Sequence, residues 1–236
     1  MCTITFYPRP TGYIITQNRD ESPKRRSTGL QLENGLLFPR DESSKGTWIG
    51  IDGQGRSVAL MNGAFKAHTA VAEPRASRGT IIPRIMQSAD LISEVLSLDL
   101  EGIEPFTLIL ADESSLHCFR WDAIDKHLET LDHTIPHIWS SPSLYSDEWQ
   151  ERRKIWFGQW LDAINDIDSS DLRWFHNHGG EGNESNDLIM DRGHVRTTSI
   201  TQLKKSGNDW LMRFTDLSTC LVEERRIHHE RRPVGY

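Results

Sequence analysis

The first 21 residues, MCTITFYPRPTGYIITQNRDE (1–21), contain two runs that are rich in β-branched and aromatic side chains. These runs, 2–7 and 13–17, flank the turn-forming segment PRPTG, and the pattern predicts a β-hairpin with a longer loop. The first strand would then hold down a chain end that is usually frayed. Because the end of the second strand lies beside the start of the first, we expect NRDE (18–21) close to Cys2.

The rest of the chain predicts an α+β protein. Further strands are predicted at 36–38, 47–52, 57–62, 106–111, 115–121, 195–203 and 209–215, with an irregular strand over 128–139. Helices are predicted over 80–98 and 147–164, loops over 63–79 and 176–187, and a charged tail over 223–236. The strands come as hairpins and do not alternate with helices, which favours antiparallel sheets with packed helices. Since no linker interrupts the chain, we expect a single domain over residues 1–236.

The composition is that of a globular protein, with 36% hydrophobic and 26% charged residues. The net charge of −7 argues against a general nucleic-acid binder. Three cysteines without a CxxC pair favour a reducing compartment over a disulfide framework or a zinc site. No apolar run is as long as a membrane-spanning helix, and MCTITFYPRP lacks the features of a signal peptide. We therefore expect a cytoplasmic protein with no integral membrane segment; the sequence leaves its oligomeric state open.

Cys2 is the first candidate for chemistry. Initiator methionine is normally removed before a small residue, and removal would leave a thiol and a free α-amine on one residue. With a pKa of about 7.7 to 8.0, such an amine is partly neutral at physiological pH and can take the proton of the thiol. One residue would thus supply both nucleophile and base. The alternative is an ordinary small apolar residue on a strand.

Arg19 and Asp20 are the second candidates, because the hairpin brings them to Cys2. A guanidinium beside a thiol favours the thiolate and lowers its pKa. A carboxylate can hold the α-amine through a charge-assisted hydrogen bond. The alternative is a polar strand end with a surface ion pair, which contributes little to stability.

These features together resemble a known family. Met-Cys at the start followed by NRDE resembles the NRDE family, also called the transport and Golgi organisation protein two family. The segments GTWIG (46–50), ALMN (59–62), SRG (77–79) and RTTS (196–199) resemble further elements of that family, in order. The family is similar to N-terminal-nucleophile hydrolases of the cysteine branch, which includes penicillin V acylase and bile salt hydrolase.

The resemblance implies a four-layer αββα sandwich of mostly antiparallel sheets. It implies Cys2 as nucleophile, Asp20 in contact with its α-amine and Arg19 beside its sulfur. It also implies that Asn62 donates its side-chain amide to an oxyanion hole, together with a backbone N–H.

Three more residues follow from the resemblance as binding residues: Asn18, Ser141 and Arg196. Ser141 stands where the hydrolases have a second asparagine. A hydroxyl is shorter and differently aimed than an amide, so this position departs from the hydrolase pattern.

Two classes of function remain open. The first is hydrolysis of a non-peptide C–N amide bond in a small molecule, with no cofactor. The second is a haem-binding or trafficking protein on a hydrolase scaffold, because a shared fold does not fix function.

Other clusters have simpler explanations. His176, His178 and His194 have poor spacing for a metal site, so no metal is expected. Trp149, Trp156 and Trp160 lie at helical spacing in 147–164 and are predicted to be core residues.

Overall fold

The computed structural model describes residues 2–68 and 74–228. These residues form thirteen strands and four helices. The strands are β1 (Cys2–Arg9), β2 (Gly12–Glu21), β3 (Ser27–Glu33), β4 (Leu36–Asp41), β5 (Ile49–Asp52), β6 (Ser57–Asn62), β7 (Phe106–Ala111), β8 (Leu116–Trp121), β9 (Lys126–Leu131), β10 (His137–Ser140), β11 (Arg196–Ser206), β12 (Asp209–Asp216) and β13 (Val222–His228). The helices are α1 (Ile81–Ile85), α2 (Leu91–Ser97), α3 (Asp147–Ala163) and α4 (Ser169–His178), and a short 3-10 turn, Arg78–Thr80, precedes α1.

The strands form two sheets in which each strand pairs antiparallel with its neighbours. The first sheet has the order β10-β1-β2-β11-β12-β13, and the second runs in chain order from β3 to β9. The first sheet thus combines the N-terminal hairpin with β10 from the middle of the chain and β11, β12 and β13 from its C-terminal part. The prediction of an α+β fold with antiparallel sheets is confirmed.

Three apolar clusters define four layers. One lies between the sheets and includes Ile15 of β2 and Ile49 of β5. A second packs α1 and α2 on the outer face of the second sheet. The third packs α3 and α4 on the outer face of the first sheet, where Ile14 of β2 meets Phe157 and Phe175. The αββα sandwich that the family resemblance implies is therefore the observed fold.

Strand β2 is buried on both faces, and this positions the site. It pairs with β1 on one side and β11 on the other, and every residue from Tyr13 to Asp20 is buried. Successive side chains of a strand point to opposite faces. Ile15 and Arg19 therefore face the second sheet, whereas Ile14 and Asp20 face the helices.

The single helix predicted over 80–98 is wrong. The chain forms two short helices, because Asp90 begins a new one: its carboxylate accepts the backbone N–H groups of Ile92 and Ser93. This is the role of an N-cap residue. The buried residues of α2 are Leu91 and Val95.

Four other segments differ from prediction. Residues 176–178, predicted as loop, are the last turn of α4, which begins with a capping box at Asp168. The irregular strand over 128–139 is two strands, β9 and β10, which belong to different sheets. The predicted tail contains β13; residues 229–236 lie outside the described residues, as do 69–73 of the predicted loop. Strand β3 was not predicted.

Helix α3 matches its prediction in extent but not in its buried face. Trp149, Trp156 and Trp160 are only half-buried. The fully buried side chains are Arg153 and Phe157. An arginine at the core-facing position indicates a polar partner beneath the helix.

His176 is a buried polar link between α4 and the first sheet. Its Nδ1 lies 2.7 Å from Asn18 Oδ1 and its Nε2 lies 2.8 Å from Thr5 Oγ1. The Asn18 amide nitrogen already donates to two backbone carbonyls. The Asn18 oxygen therefore accepts from Nδ1–H, and the Thr5 hydroxyl donates to Nε2 of a neutral ring. Burial, assisted by Arg153, lowers the pKa of His176 to about 3.

We predict that this histidine makes stability depend on pH. The unfolded chain takes up the proton near pH 6.5 and the folded chain only near pH 3, so stability is full above pH 6.5 and declines as pH falls towards 3. His176 alone contributes about 2 kcal/mol of loss between pH 6.5 and 5.0. Urea unfolding of His176→Gln should show a correspondingly flatter pH dependence. The exposed His178→Gln serves as control, and an equally steep profile for both variants would contradict the assignment.

Candidate active site

A small cleft, partly open to solvent, lies where β1 begins and where β2, β4 and β6 end. Three of the predicted residues line it: Cys2, Arg19 and Asn62. The other lining residues are Glu21, Arg25, Asp41, Ser44, Thr47, Trp48, Leu60, Ser77, Arg78 and Gly79. The structure thus brings the implied nucleophile, guanidinium and oxyanion donor to one place.

Cys2 occupies the floor of the cleft. It pairs directly with Arg19 in the β1–β2 ladder and is 2% exposed. Burial, and to a smaller extent the Asp20 carboxylate, raise the pKa of its thiol, although the Gln17 amide and the Arg19 guanidinium both act to lower it. Arg19 therefore acts in the predicted direction, but the pKa is raised overall because desolvation of the thiolate is the larger effect.

Arg19 is fixed from several sides. Its guanidinium forms a buried ion pair with Asp41 at 2.5 Å and donates to Thr198 Oγ1 at 3.1 Å. It also lies over the ring of Trp48, 4.6 Å from the centroid. Burial opposes ionisation of Asp41, but the Ser44 backbone N–H and the neighbouring guanidinium groups hold the pKa of its carboxyl below the usual value. The Arg19–Asp41 pair is therefore not the surface ion pair that the alternative interpretation of these residues assumed.

Asn62 ends β6 at the opposite wall of the cleft. Its backbone carbonyl accepts a hydrogen bond from the Ser141 hydroxyl at 2.6 Å, while its side-chain amide makes no hydrogen bond to another described residue. Gly63 follows with φ of +84°, and a Cβ there would approach Ser143 Oγ to 2.5 Å. The chain therefore turns away tightly after Asn62 and leaves its amide available.

Asp20 lies on the other face of β2 and does not line the cleft. Its two carboxylate oxygens accept from the Tyr145 hydroxyl at 2.8 Å and the Thr197 hydroxyl at 2.7 Å. Burial raises the pKa of Asp20, against the lowering effects of Arg153 and these two hydroxyls. In the ladder it pairs with Thr197, one position beyond the Cys2–Arg19 pair. It therefore lies on the opposite face of the sheet from the Cys2 side chain, yet close enough for its charge to raise the pKa of the thiol.

The three predicted binding residues lie outside the cleft lining. Asn18 faces the helices and donates to the carbonyls of His176 and Leu188. Ser141 is buried, and its hydroxyl proton is used on Asn62. Arg196 lines a second groove, which shares Arg19 and Arg25 with the cleft.

Sequence reasoning missed several residues that shape the site. Arg78 lies in the recognised SRG segment but was given no role; it lines the cleft and pairs with Glu104 at 3.0 Å. Burial lowers its pKa. Tyr145 and Arg153, which approach Asp20 from the helix side, lie in segments whose only signals were turn and helix patterns.

No group of three or more histidine, cysteine or acidic residues with metal-binding geometry occurs in 2–68 and 74–228. Within the same ranges, no helix is long and apolar enough to cross a membrane.

The fold and the arrangement of strands around this cleft define the class: the chain has the fold of the N-terminal-nucleophile hydrolases. It is similar to the Caenorhabditis elegans orthologue of N-acylethanolamine-hydrolyzing acid amidase, with a TM-score of 0.59 and 12% identity over 86% of this chain and 92% of that one. It is also similar to two variants of conjugated bile acid hydrolase from Clostridium perfringens. One has a TM-score of 0.61 and 10% identity over 95% of this chain and 92% of that one. The other has a TM-score of 0.56 and 10% identity over the full length of both chains.

Within that class, the chain belongs to the Transport and Golgi organisation 2 family, whose model matches residues 1–172. This confirms the resemblance seen in the sequence. None of the curated proteins matches the chain in sequence.

We predict a distinct order of thiol reactivity in the folded protein. Cys220 is exposed, Cys2 lines the cleft, and Cys118 is buried in β8, where burial raises its pKa to about 11. Iodoacetamide at pH 7.5 should modify Cys220 and Cys2 but leave Cys118 unmodified, as read by peptide mass spectrometry. In urea all three should react. Modification of Cys118 in the folded protein at the rate of Cys220 would show that the packing of β8 is not as described.

Proposed function

We propose that this protein hydrolyses a non-peptide C–N amide bond in a small molecule, with Cys2 as N-terminal nucleophile. One observation carries the proposal: Cys2, Arg19 and Asn62, three residues with implied roles from separate parts of the chain, line one cleft. The fold shared with amide hydrolases supports it.

The reaction has two steps. The neutral α-amine of Cys2 takes the thiol proton, and the sulfur attacks the carbonyl carbon of the substrate. The side-chain amide of Asn62 donates to the developing oxyanion. The C–N bond breaks as the protonated amine gives its proton to the leaving nitrogen, which leaves an acyl-thioester on Cys2. Water, deprotonated by the same amine, then attacks the thioester; the C–S bond breaks, the acid leaves, and the sulfur takes the proton back from the amine.

The burial of Cys2 makes the internal base necessary. Because desolvation raises the pKa of the thiol, most of it stays protonated at neutral pH in the absence of a base. Arg19, held by Asp41 and Thr198, stabilises the thiolate as it forms. The nucleophile is thus generated only when the amine can accept the proton.

The similar structures support this class of substrate. Their names state that one hydrolyses N-acylethanolamines and the other conjugated bile acids, which are both non-peptide amides. The oxyanion hole differs from that implied by the hydrolases, because the Ser141 hydroxyl donates to the Asn62 carbonyl and not into the cleft. Asn62 and a backbone N–H would therefore act without a second side-chain donor.

We also propose that the protein is cytoplasmic, and we retain one alternative function. Three unpaired cysteines fit the reducing cytoplasm. The alternative function is haem binding, for which Cys2 would be the ligand that the cleft offers.

We predict first that the mature protein lacks Met1. Position 1 lies outside the described residues, and the base in the mechanism exists only if the α-amine belongs to Cys2. Intact mass of the protein purified from cytoplasm should be lower by one methionine residue. Retention of Met1 would eliminate the hydrolase mechanism.

We predict second that hydrolysis depends on Cys2 and Asn62. A panel of N-acylethanolamines, bile-salt conjugates and N-acyl amino acids is assayed by the amine released. Cys2→Ala should abolish turnover, and Asn62→Ala should lower kcat by about 10²–10³-fold with little change in KM, because the oxyanion forms only during reaction. The exposed Asn177→Ala is the matched control. An Asn62→Ala variant as active as this control would contradict the oxyanion role. No turnover of any substrate, with a haem absorption band lost in Cys2→Ala, would favour the alternative.

A further inference from the structure

The turn at residues 141–145, between β10 and α3, touches three of the four residues with implied catalytic roles. The Ser141 backbone N–H donates to the Cys2 carbonyl at 3.0 Å, and the Ser141 hydroxyl donates to the Asn62 carbonyl at 2.6 Å. The Tyr145 hydroxyl donates to Asp20 at 2.8 Å. One short segment therefore contacts β1 and β2 of the first sheet and β6 of the second.

Tyr145 also connects Asp20 with a buried cation. The guanidinium carbon of Arg153 lies 3.5 Å from the centroid of the Tyr145 ring. Arg153 donates to Thr3 Oγ1 and to the carbonyls of Asn186 and Asp187. Within the described part of the chain it forms no ion pair with a carboxylate. The ring of Tyr145 thus stands between the buried cation and the Asp20 carboxylate, and its hydroxyl joins the carboxylate directly.

This arrangement makes the charge of Asp20 depend on few contacts. Asp20, Tyr145 and Arg153 are at most 1% exposed, so water does not solvate the carboxylate. Burial raises the pKa of Asp20, while Arg153, Thr197 and Tyr145 lower it. Of these three, only the Tyr145 hydroxyl can be removed without a change in backbone contacts or in the packing around the ring.

We propose that Tyr145 is a positioning residue, whose hydroxyl fixes the Asp20 carboxylate near Cys2 and so sets the pH at which Cys2 becomes nucleophilic. The proposal rests on the proposed function in taking Cys2 as nucleophile. The charged and titratable groups that face Cys2 and Asp20 are Arg19 and Glu21 on β2, Arg25 and Asp41 at the cleft, Arg78 before α1, and Tyr145 and Arg153 on the helix side. Tyr145→Phe removes the hydrogen bond from the Tyr145 hydroxyl to Asp20 and leaves the other groups in place.

The sign of the effect follows from the charge. The Tyr145 hydroxyl lowers the pKa of Asp20, so its removal favours the neutral carboxylic acid. With less negative charge beside Cys2, the protonated forms of the Cys2 amine and thiol are less favoured, and nucleophilic thiolate forms at lower pH.

The test is the pH profile of Cys2 alkylation by iodoacetamide, measured in a Cys220→Ser background by peptide mass spectrometry. Tyr145→Phe should move the midpoint to lower pH by roughly 0.5 to 1 unit. Asp20→Asn should move it to lower pH, and Tyr145→Phe should add no shift in that background, because the effect passes through Asp20. The ring that packs against Arg153 is kept in Tyr145→Phe.

Tyr13→Phe is the matched control for loss of a buried hydroxyl. Tyr13 donates to the Gly55 carbonyl and lies 2.6 Å from Ser57 Oγ, and it pairs with Pro8, roughly 20 Å along β1 from Cys2. The Tyr13→Phe variant should be less stable than the parent protein, but the pH midpoint of its Cys2 alkylation should not shift. A Tyr145→Phe midpoint that stays unchanged or moves to higher pH overturns the proposal, as does an equal downward shift in the Asp20→Asn background. Because alkylation needs no substrate, a shift as expected with no hydrolysis would reject only the hydrolase.

Discussion

The antiparallel register of β1 and β2 is the constraint on which the site depends. It pairs Cys2 with Arg19, which places the thiol and the guanidinium on the face towards the second sheet. The alternation of strand side chains then places Asp20 on the face towards the helices. A register slip of one residue would exchange these faces. Burial of both faces, with an apolar cluster on each, prevents such a slip.

The charges in the cleft are largely matched by partners. Asp41 pairs with both Arg19 and Arg25, and Glu104 pairs with Arg78. Breaking such buried pairs from one side is costly, because it leaves an uncompensated charge. The guanidinium groups are therefore held in place before any ligand arrives, and Cys2 lies among fixed dipoles and charges. Such preorganisation is what stabilisation of a developing charge requires.

Much of the fold could be predicted from the sequence, because strand patterns and hairpin turns are local. Strands β6 and β7 have the predicted bounds. The helix boundary at Asp90 and the helix after Asp168 depend on capping side chains, which periodicity alone does not reveal. The separation of β9 and β10 into two sheets is a tertiary outcome.

The candidate site was predictable where a motif carried it and unpredictable elsewhere. Cys2, Arg19 and Asn62 lie in recognised segments. The glycines of the GTW and SRG segments allow the two segments to pack closely: a Cβ on Gly46 would lie 2.5 Å from the Gly79 carbonyl carbon. By contrast, Tyr145 and Arg153 are ordinary residues of a turn and a helix, and only the fold shows that they face Asp20. Tyr145 and Arg153 are far from NRDE along the chain, so the sequence does not show that they lie near Asp20.

The strand order also has a consequence for synthesis. The β1–β2 hairpin leaves the ribosome before its outer neighbours β10 and β11, and β11 ends only at Ser206. At 5–20 residues per second, roughly 10–40 s pass before the nascent hairpin can pair on both sides. During that time both outer edges of the hairpin, and both faces of a strand that the folded protein buries, are exposed to solvent and to other chains. The part of the molecule that bears the candidate nucleophile therefore stays open to wrong pairing until β11 has been synthesised.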